Sequence, residues 1–72
     1  MSFIQSVLFN KKYYSLQNCY DWLIRNNLKI PTFIDETKKY YRFRQVNPNY
    51  KKYYYRTKEI TPGIKFIIGF KK

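Results

Sequence analysis

Apolar and polar side chains alternate with a period of two in the string Tyr40-Tyr41-Arg42-Phe43-Arg44-Gln45-Val46. Successive side chains of a β-strand point to opposite faces, so this stretch predicts a strand that sends Tyr41 and Phe43 into a core and presents Arg42 and Arg44 outward. Phe3 to Phe9 is apolar on both parities, as in a central or doubly covered strand, and Asn10-Lys11-Lys12 ends it. Between Leu16 and Asn27 the period changes. Leu16, Cys19, Tyr20, Leu23 and Ile24 fall at helical spacing, with Gln17, Asn18, Asp21 and Arg25 opposite, which predicts one amphipathic helix of about three turns. Ser15 is a good N-cap, but Asn18 stands where a capping box has Glu or Gln, so that signal is incomplete. Asn26-Asn27, one of which suits a left-handed cap, ends the helix before Pro31.

Thr32 to Glu36 reads as a short strand, joined by a three-residue turn, Thr37-Lys38-Lys39, to the strand Tyr40 to Val46. That register sets Phe33 opposite Phe43. Asn47-Pro48-Asn49 turns the chain, Tyr53 to Ile60 is a further strand, Pro62-Gly63 turns it again, and Ile64 to Phe70 is the last strand. The prediction is an α+β fold in the order β-α-β-β-β-β, one amphipathic helix packed on a largely antiparallel β-sheet. The first and last strands are the most apolar and are expected side by side in the middle.

Seventy-two residues allow one domain, near the lower limit for a core without metals or disulfides. Cys19 is the only cysteine, so no internal disulfide forms, and with no His a metal cluster lacks ligands; Cys19 reads as a small core residue. Uncharged runs reach about ten residues, short of the roughly 20 that span a bilayer, and Met1 to Asn10 lacks the features of a secretory signal. The expected setting is intracellular or intraviral, with no membrane partner.

Fifteen Lys and Arg against four acids give a net charge of +11, which favours polyanionic partners. Lys, Asn, Ile, Tyr and Phe are also what an A/T-rich genome encodes, and a solvated charged face in such a protein would share this inventory. Codon bias explains Lys over Arg better than it explains the scarcity of acids.

Several segments resemble a small domain of tailed bacteriophages and large DNA viruses. They are Ser6-Val7-Leu8-Phe9, Trp22-Leu23, Asp35-Glu36-Thr37, Tyr41-Arg42-Phe43-Arg44-Gln45, Tyr55-Arg56-Thr57-Lys58-Glu59-Ile60 and Gly63-Ile64-Lys65. The similarity spans nearly the whole chain, and the spacing from Asp-Glu-Thr to Arg-Phe-Arg-Gln is its most specific part. Such domains have no settled activity, so the resemblance implies a viral origin, in the virion or the interior of the infected cell, rather than a reaction. This chain differs in being more basic and in its extra Tyr and Lys between positions 50 and 54.

Enzymatic chemistry is poorly provided for. There is no His, no Gly-rich phosphate loop, and only four carboxylates, of which Asp35 and Glu36 are strand neighbours facing opposite ways. They read as partners of Lys38, Lys39 or a strand arginine. No cofactor is expected. If strands 40–46 and 53–60 pair with Phe43 and Tyr55 on one oily face, the cations of the two strands come together on the other, although like charges set across strands destabilise. Arg42, Arg44, Arg56, Lys58 and Lys65 then form a cationic sheet surface with Tyr40 and Tyr54 on it, extended by Lys51, Lys52, Lys71 and Lys72. The expected partner is nucleic acid, DNA before RNA, bound largely without sequence preference, since a helix with Arg25 as its one arginine is no convincing groove reader. The surplus of Tyr also suits a protein interface, and so a homo-oligomer or a virion adaptor.

Overall fold

β1 (Ser2–Asn10) is the middle strand of a five-stranded sheet, as its apolar character on both parities requires. A computed structural model describing residues 1–72 places α1 (Leu16–Arg25) after it, followed by β2 (Asp35–Glu36), β3 (Tyr40–Arg44), β4 (Tyr53–Thr61) and β5 (Ile64–Lys71). The spatial order is β2-β3-β1-β5-β4. Every pairing is antiparallel, and β1 and β5 are neighbours as expected. The fold is α+β with the sheet dominant. No helix is long and apolar enough to cross a membrane.

α1 covers one face of the sheet. Val7 and Phe9 of β1, Phe43 of β3 and Ile64 of β5 meet Cys19 and Leu23 of the helix in a fully buried cluster. Tyr20 and Trp22 flank it, with Trp22 edge-on to Phe9 at 5.6 Å and to Phe66 at 6.0 Å between ring centroids. Leu16 and Ile24, expected in the core, are instead 37% and 62% exposed, because the buried stripe is centred on Cys19 and Leu23 and Trp22 fills the flank.

Both helix ends are closed locally, the first by side chains and the second by backbone bonds. The Ser15 hydroxyl accepts from the Asn18 backbone N–H at 3.2 Å, and the Ser15 N–H donates to Asn18 Oδ1 at 3.4 Å, so Asn completes the box in place of Glu. At the other end Asn27 adopts φ +56°, Leu28 N–H donates to Leu23 O at 2.8 Å and Asn27 N–H to Ile24 O at 3.1 Å. This pair of bonds with an apolar residue after the left-handed one is the Schellman arrangement, and Leu28 packs onto the core.

Three sequence expectations need correction. The turn after β2 has two residues, Lys38-Lys39, closed by Thr37 N–H donating to Tyr40 O at 2.9 Å. One residue fewer than expected shifts the register by one, which exchanges the faces. Ile34 rather than Phe33 therefore joins the core, Phe33 is 84% exposed, and β2 shrinks to Asp35–Glu36. β3 stops at Arg44, and Val46 is exposed, because the N–H groups of Gln45 and Val46 both turn to the carbonyl of Gln5. Finally, β3 does not pair with β4. The two most apolar strands take the middle, which leaves β3 and β4 on opposite flanks with β1 and β5 between them.

Candidate nucleic-acid interface

The six residues expected to bind nucleic acid divide into two groups on opposite sides of the sheet. β3 pairs Arg42 with Leu8 and Arg44 with Ser6, and β5 pairs Lys65 with Leu8, all on the face away from the helix. β4 pairs Tyr54 with Phe70, Arg56 with Ile68 and Lys58 with Phe66, on the helix side. Tyr55 pairs with Gly69 on the uncovered face, opposite to the face that carries Phe43, so the shared oily face assumed for those two residues does not exist. A single cationic wall of Arg42, Arg44, Arg56, Lys58 and Lys65 is therefore not formed. The physical reason is the strand order, since β4 takes its side-chain parity from β5 and never meets β3.

Of the three predicted cations on the uncovered face, Arg42 and Arg44 are already engaged and Lys65 has a ring beside it. β1 carries a bulge between Ile4 and Ser6, where Gln5 is the extra residue, and Gln5 and Ser6 are both buried. The Arg42 Nε donates to Ser6 Oγ and its Nη2 to Gln5 Oε1, each at 3.2 Å, while Ser6 Oγ donates to Gln5 Oε1 at 2.7 Å. Gln5 Nε2 in turn donates to Val46 O at 2.7 Å, so every buried polar side-chain atom finds a partner. Arg44 pairs with Asp35 at 3.0 Å, and the Lys65 ammonium lies 5.3 Å from the centre of the Tyr40 ring.

On the helix side, the β4 side chains Tyr54, Arg56 and Lys58 are exposed. Tyr54 stacks on Phe70 at 5.4 Å with 20° between the planes, and the Arg56 guanidinium sits 5.7 Å from the Tyr54 ring. Arg56, Lys58 and Tyr54 thus remain together, exposed and without a carboxylate partner.

The uncovered face also carries an aromatic group that alternation alone does not single out. Phe3 is edge-on to Tyr53 at 4.8 Å and to Tyr55 at 6.3 Å, and Tyr55 is edge-on to Tyr50 at 5.3 Å. The Tyr55 hydroxyl accepts from the Asn49 N–H at 2.7 Å, which fixes the 47–52 connection against the sheet. The run Tyr53-Tyr54-Tyr55 is the signal the sequence offers, but only the β4–β5 register says which parity faces which way.

The fifteen cations are otherwise free of ion pairing. Lys11 with Glu36 and Arg44 with Asp35 are the only salt bridges. Asp35 finds a strand arginine as expected; Glu36 finds Lys11 instead of Lys38 or Lys39. No group of three or more His, Cys, Asp or Glu side chains comes together in a way that could hold a metal. The Cys19 thiol is buried, and burial pushes its pKa up from 9.0 to about 11 against a smaller lowering by a backbone hydrogen bond, so it is a poor nucleophile. No family model, curated protein or solved structure matches the chain.

Proposed function

We propose that the chain is a non-enzymatic, largely sequence-independent nucleic-acid-binding protein of a DNA virus, acting in the virion or the infected-cell interior to coat or compact the genome. The observation that supports this best is charge left unpaired: of fifteen cations, two have a carboxylate partner, which leaves thirteen without one. A surface serving solubility alone does not need so one-sided a balance, and phosphate contacts need nothing more elaborate than mobile ammonium and guanidinium groups. The cations do not form one stripe on the sheet, which suits affinity without readout. DNA is the preferred ligand in this reading, and no membrane partner or cofactor is part of it.

Fluorescence anisotropy with a labelled duplex at several salt concentrations tests the reading. With about five phosphates contacted, log K falls against log salt with a slope of roughly −4 to −5. Absence of binding at low salt, or binding indifferent to salt, would overturn it.

A second reading, a virion structural or adaptor protein working through protein contacts, draws support from the uncovered face. Phe3, Leu8, Tyr53, Tyr55 and Ile67 lie there half-buried with no element packed over them. Sedimentation in the absence of nucleic acid separates the two: a defined oligomer with no affinity for DNA selects the adaptor.

A further inference from the structure

Eight of the eleven lysines gather at the two ends of the sheet. At one end β1 runs out into Lys11 and Lys12 beside the Lys38-Lys39 turn, held together by Lys11 N–H donating to Lys39 O at 2.9 Å. Asn10 and these four lysines surround a concavity of about 360 Å³ with no acidic residue on its wall. Lys11 is held by Glu36, which leaves Lys12, Lys38 and Lys39 without a carboxylate partner. At the other end the Lys51-Lys52 turn meets the last residues of β5. Lys72 N–H donates to Lys52 O at 3.0 Å and its ammonium to Tyr50 O at 2.6 Å, Lys71 stands opposite Tyr53, and none of these four lysines has a carboxylate partner.

The two groups lie at opposite tips of the strands. β1 runs the whole way between them, nine residues or about 26 Å at the usual strand rise of roughly 3.3 Å, in a body 35 Å long. That separation is about three screening lengths at physiological salt, so the ends attract polyanions independently. Between them the uncovered face keeps one free strand cation, Lys65, because Arg42 is bonded to Gln5 and Ser6 and Arg44 is paired with Asp35.

We propose that one molecule bridges two nucleic-acid segments, one held by Lys12, Lys38 and Lys39 and the other by Lys51, Lys52, Lys71 and Lys72. This rests on the nucleic-acid reading and gives it a mechanism: a protein with two remote cationic ends condenses a polyanion by cross-linking it, without needing to oligomerise.

The test immobilises one short duplex on beads and measures capture of a second, fluorescent duplex. Full-length protein is used, with Lys12→Ser/Lys38→Ser/Lys39→Ser as one variant and Lys51→Ser/Lys52→Ser/Lys71→Ser/Lys72→Ser as the other, each checked for native circular dichroism. Wild type captures the second duplex. Each variant still binds a single duplex in anisotropy, with a salt slope shallower by about 0.9 for each phosphate no longer neutralised, but its capture falls at least about tenfold. A mixture of the two variants does not restore capture. Wild type that binds DNA yet captures no second duplex would overturn the bridge alone, as would capture by either variant. Restoration by the mixture would overturn it in favour of an oligomer. Failure of wild type to bind any duplex would overturn the nucleic-acid reading itself, and the bridge with it.

Discussion

The Phe3 ring occupies the space that a side chain at residue 69 would need: a Cβ built on Gly69 falls 2.4 Å from Phe3 Cζ and within 2.9 Å of both flanking ring carbons. Gly69 is therefore a packing requirement of the uncovered face rather than a turn residue. It lets Phe3 lie across β5 and reach Tyr53 and Tyr55. Gly69→Ala is expected to destabilise the fold by about 1–3 kcal/mol, the usual cost of overpacking. Urea denaturation measures it. Phe3→Ala in the same chain should make Gly69→Ala much less costly, since the two changes act on the same pair of groups. An unchanged midpoint for Gly69→Ala would mean that the ring sits elsewhere.

Arg42 behaves in this structure as a structural cation rather than a binding one. Its guanidinium supplies donors to Ser6 and Gln5, both buried at the β1 bulge, and removing it leaves acceptors there short of partners. Arg42→Met should lose about 1–3 kcal/mol of stability by that route, whereas Lys58→Met, on the exposed edge strand, should change stability by no more than about 0.5 kcal/mol. In DNA binding the order reverses. Lys58→Met should flatten the salt slope more than Arg42→Met does in protein that remains folded.

Arg42 and Lys58, expected together on one cationic surface, lie on opposite faces of the sheet. Period-two and period-3.6 patterns located the helix and all the strands, and the apolar character of Phe3 to Phe9 and Ile64 to Phe70 placed β1 and β5 together. Face assignments beyond a single strand depended on features that periodicity does not carry. A two-residue turn in place of a three-residue one moved Phe33 out and Ile34 in, and the hairpin register of β4 with β5 sent Tyr54, Arg56 and Lys58 away from Arg42, Arg44 and Lys65. The bulge at Gln5 left no mark in the alternation either, because Phe3 to Phe9 is apolar on both parities around it.

Asn27 carries the one left-handed non-glycine conformation in the chain, and the Schellman bonds to Leu23 and Ile24 depend on it. Asn tolerates this region and Ala does not, so Asn27→Ala should cost about 1 kcal/mol, while Asn27→Gly should be neutral within a few tenths. Thermal melting read by helix circular dichroism checks both. Equal effects of the two substitutions would show that backbone strain at this position is not what closes the helix.

Cys19 links stability to alkaline pH. Its thiol ionises at about 11 in the folded chain, above the ordinary value of 9.0, because burial disfavours the thiolate. The unfolded chain releases that proton first as pH rises, so the contribution is fully present below about pH 9 and is lost progressively toward pH 11. Over that window the stability of wild type should fall more steeply than that of Cys19→Ala. The same burial predicts that a thiol reagent modifies Cys19 at the rate of unfolding, and labelling as fast as a free thiol at neutral pH would contradict it.

Thirteen cations without a carboxylate partner on a body 35 Å long also set the sign of the response to salt. Folding brings like charges closer than they are in the extended chain, and the two surface ion pairs, each worth at most about 1 kcal/mol, do not offset this. Screening weakens repulsion between exposed charges, with a Debye length that falls from about 30 Å at 0.01 M to about 10 Å at 0.1 M salt. Added sodium chloride should therefore raise the melting temperature, by roughly 4–8 °C for each kcal/mol of repulsion removed in a domain of this size. A polyanion too long to be a simple counterion, such as heparin, should do so at far lower concentration, because it engages several lysines at once. A protein held together by its ion pairs would instead lose stability over the same range, so differential scanning fluorimetry in a salt series decides the sign directly.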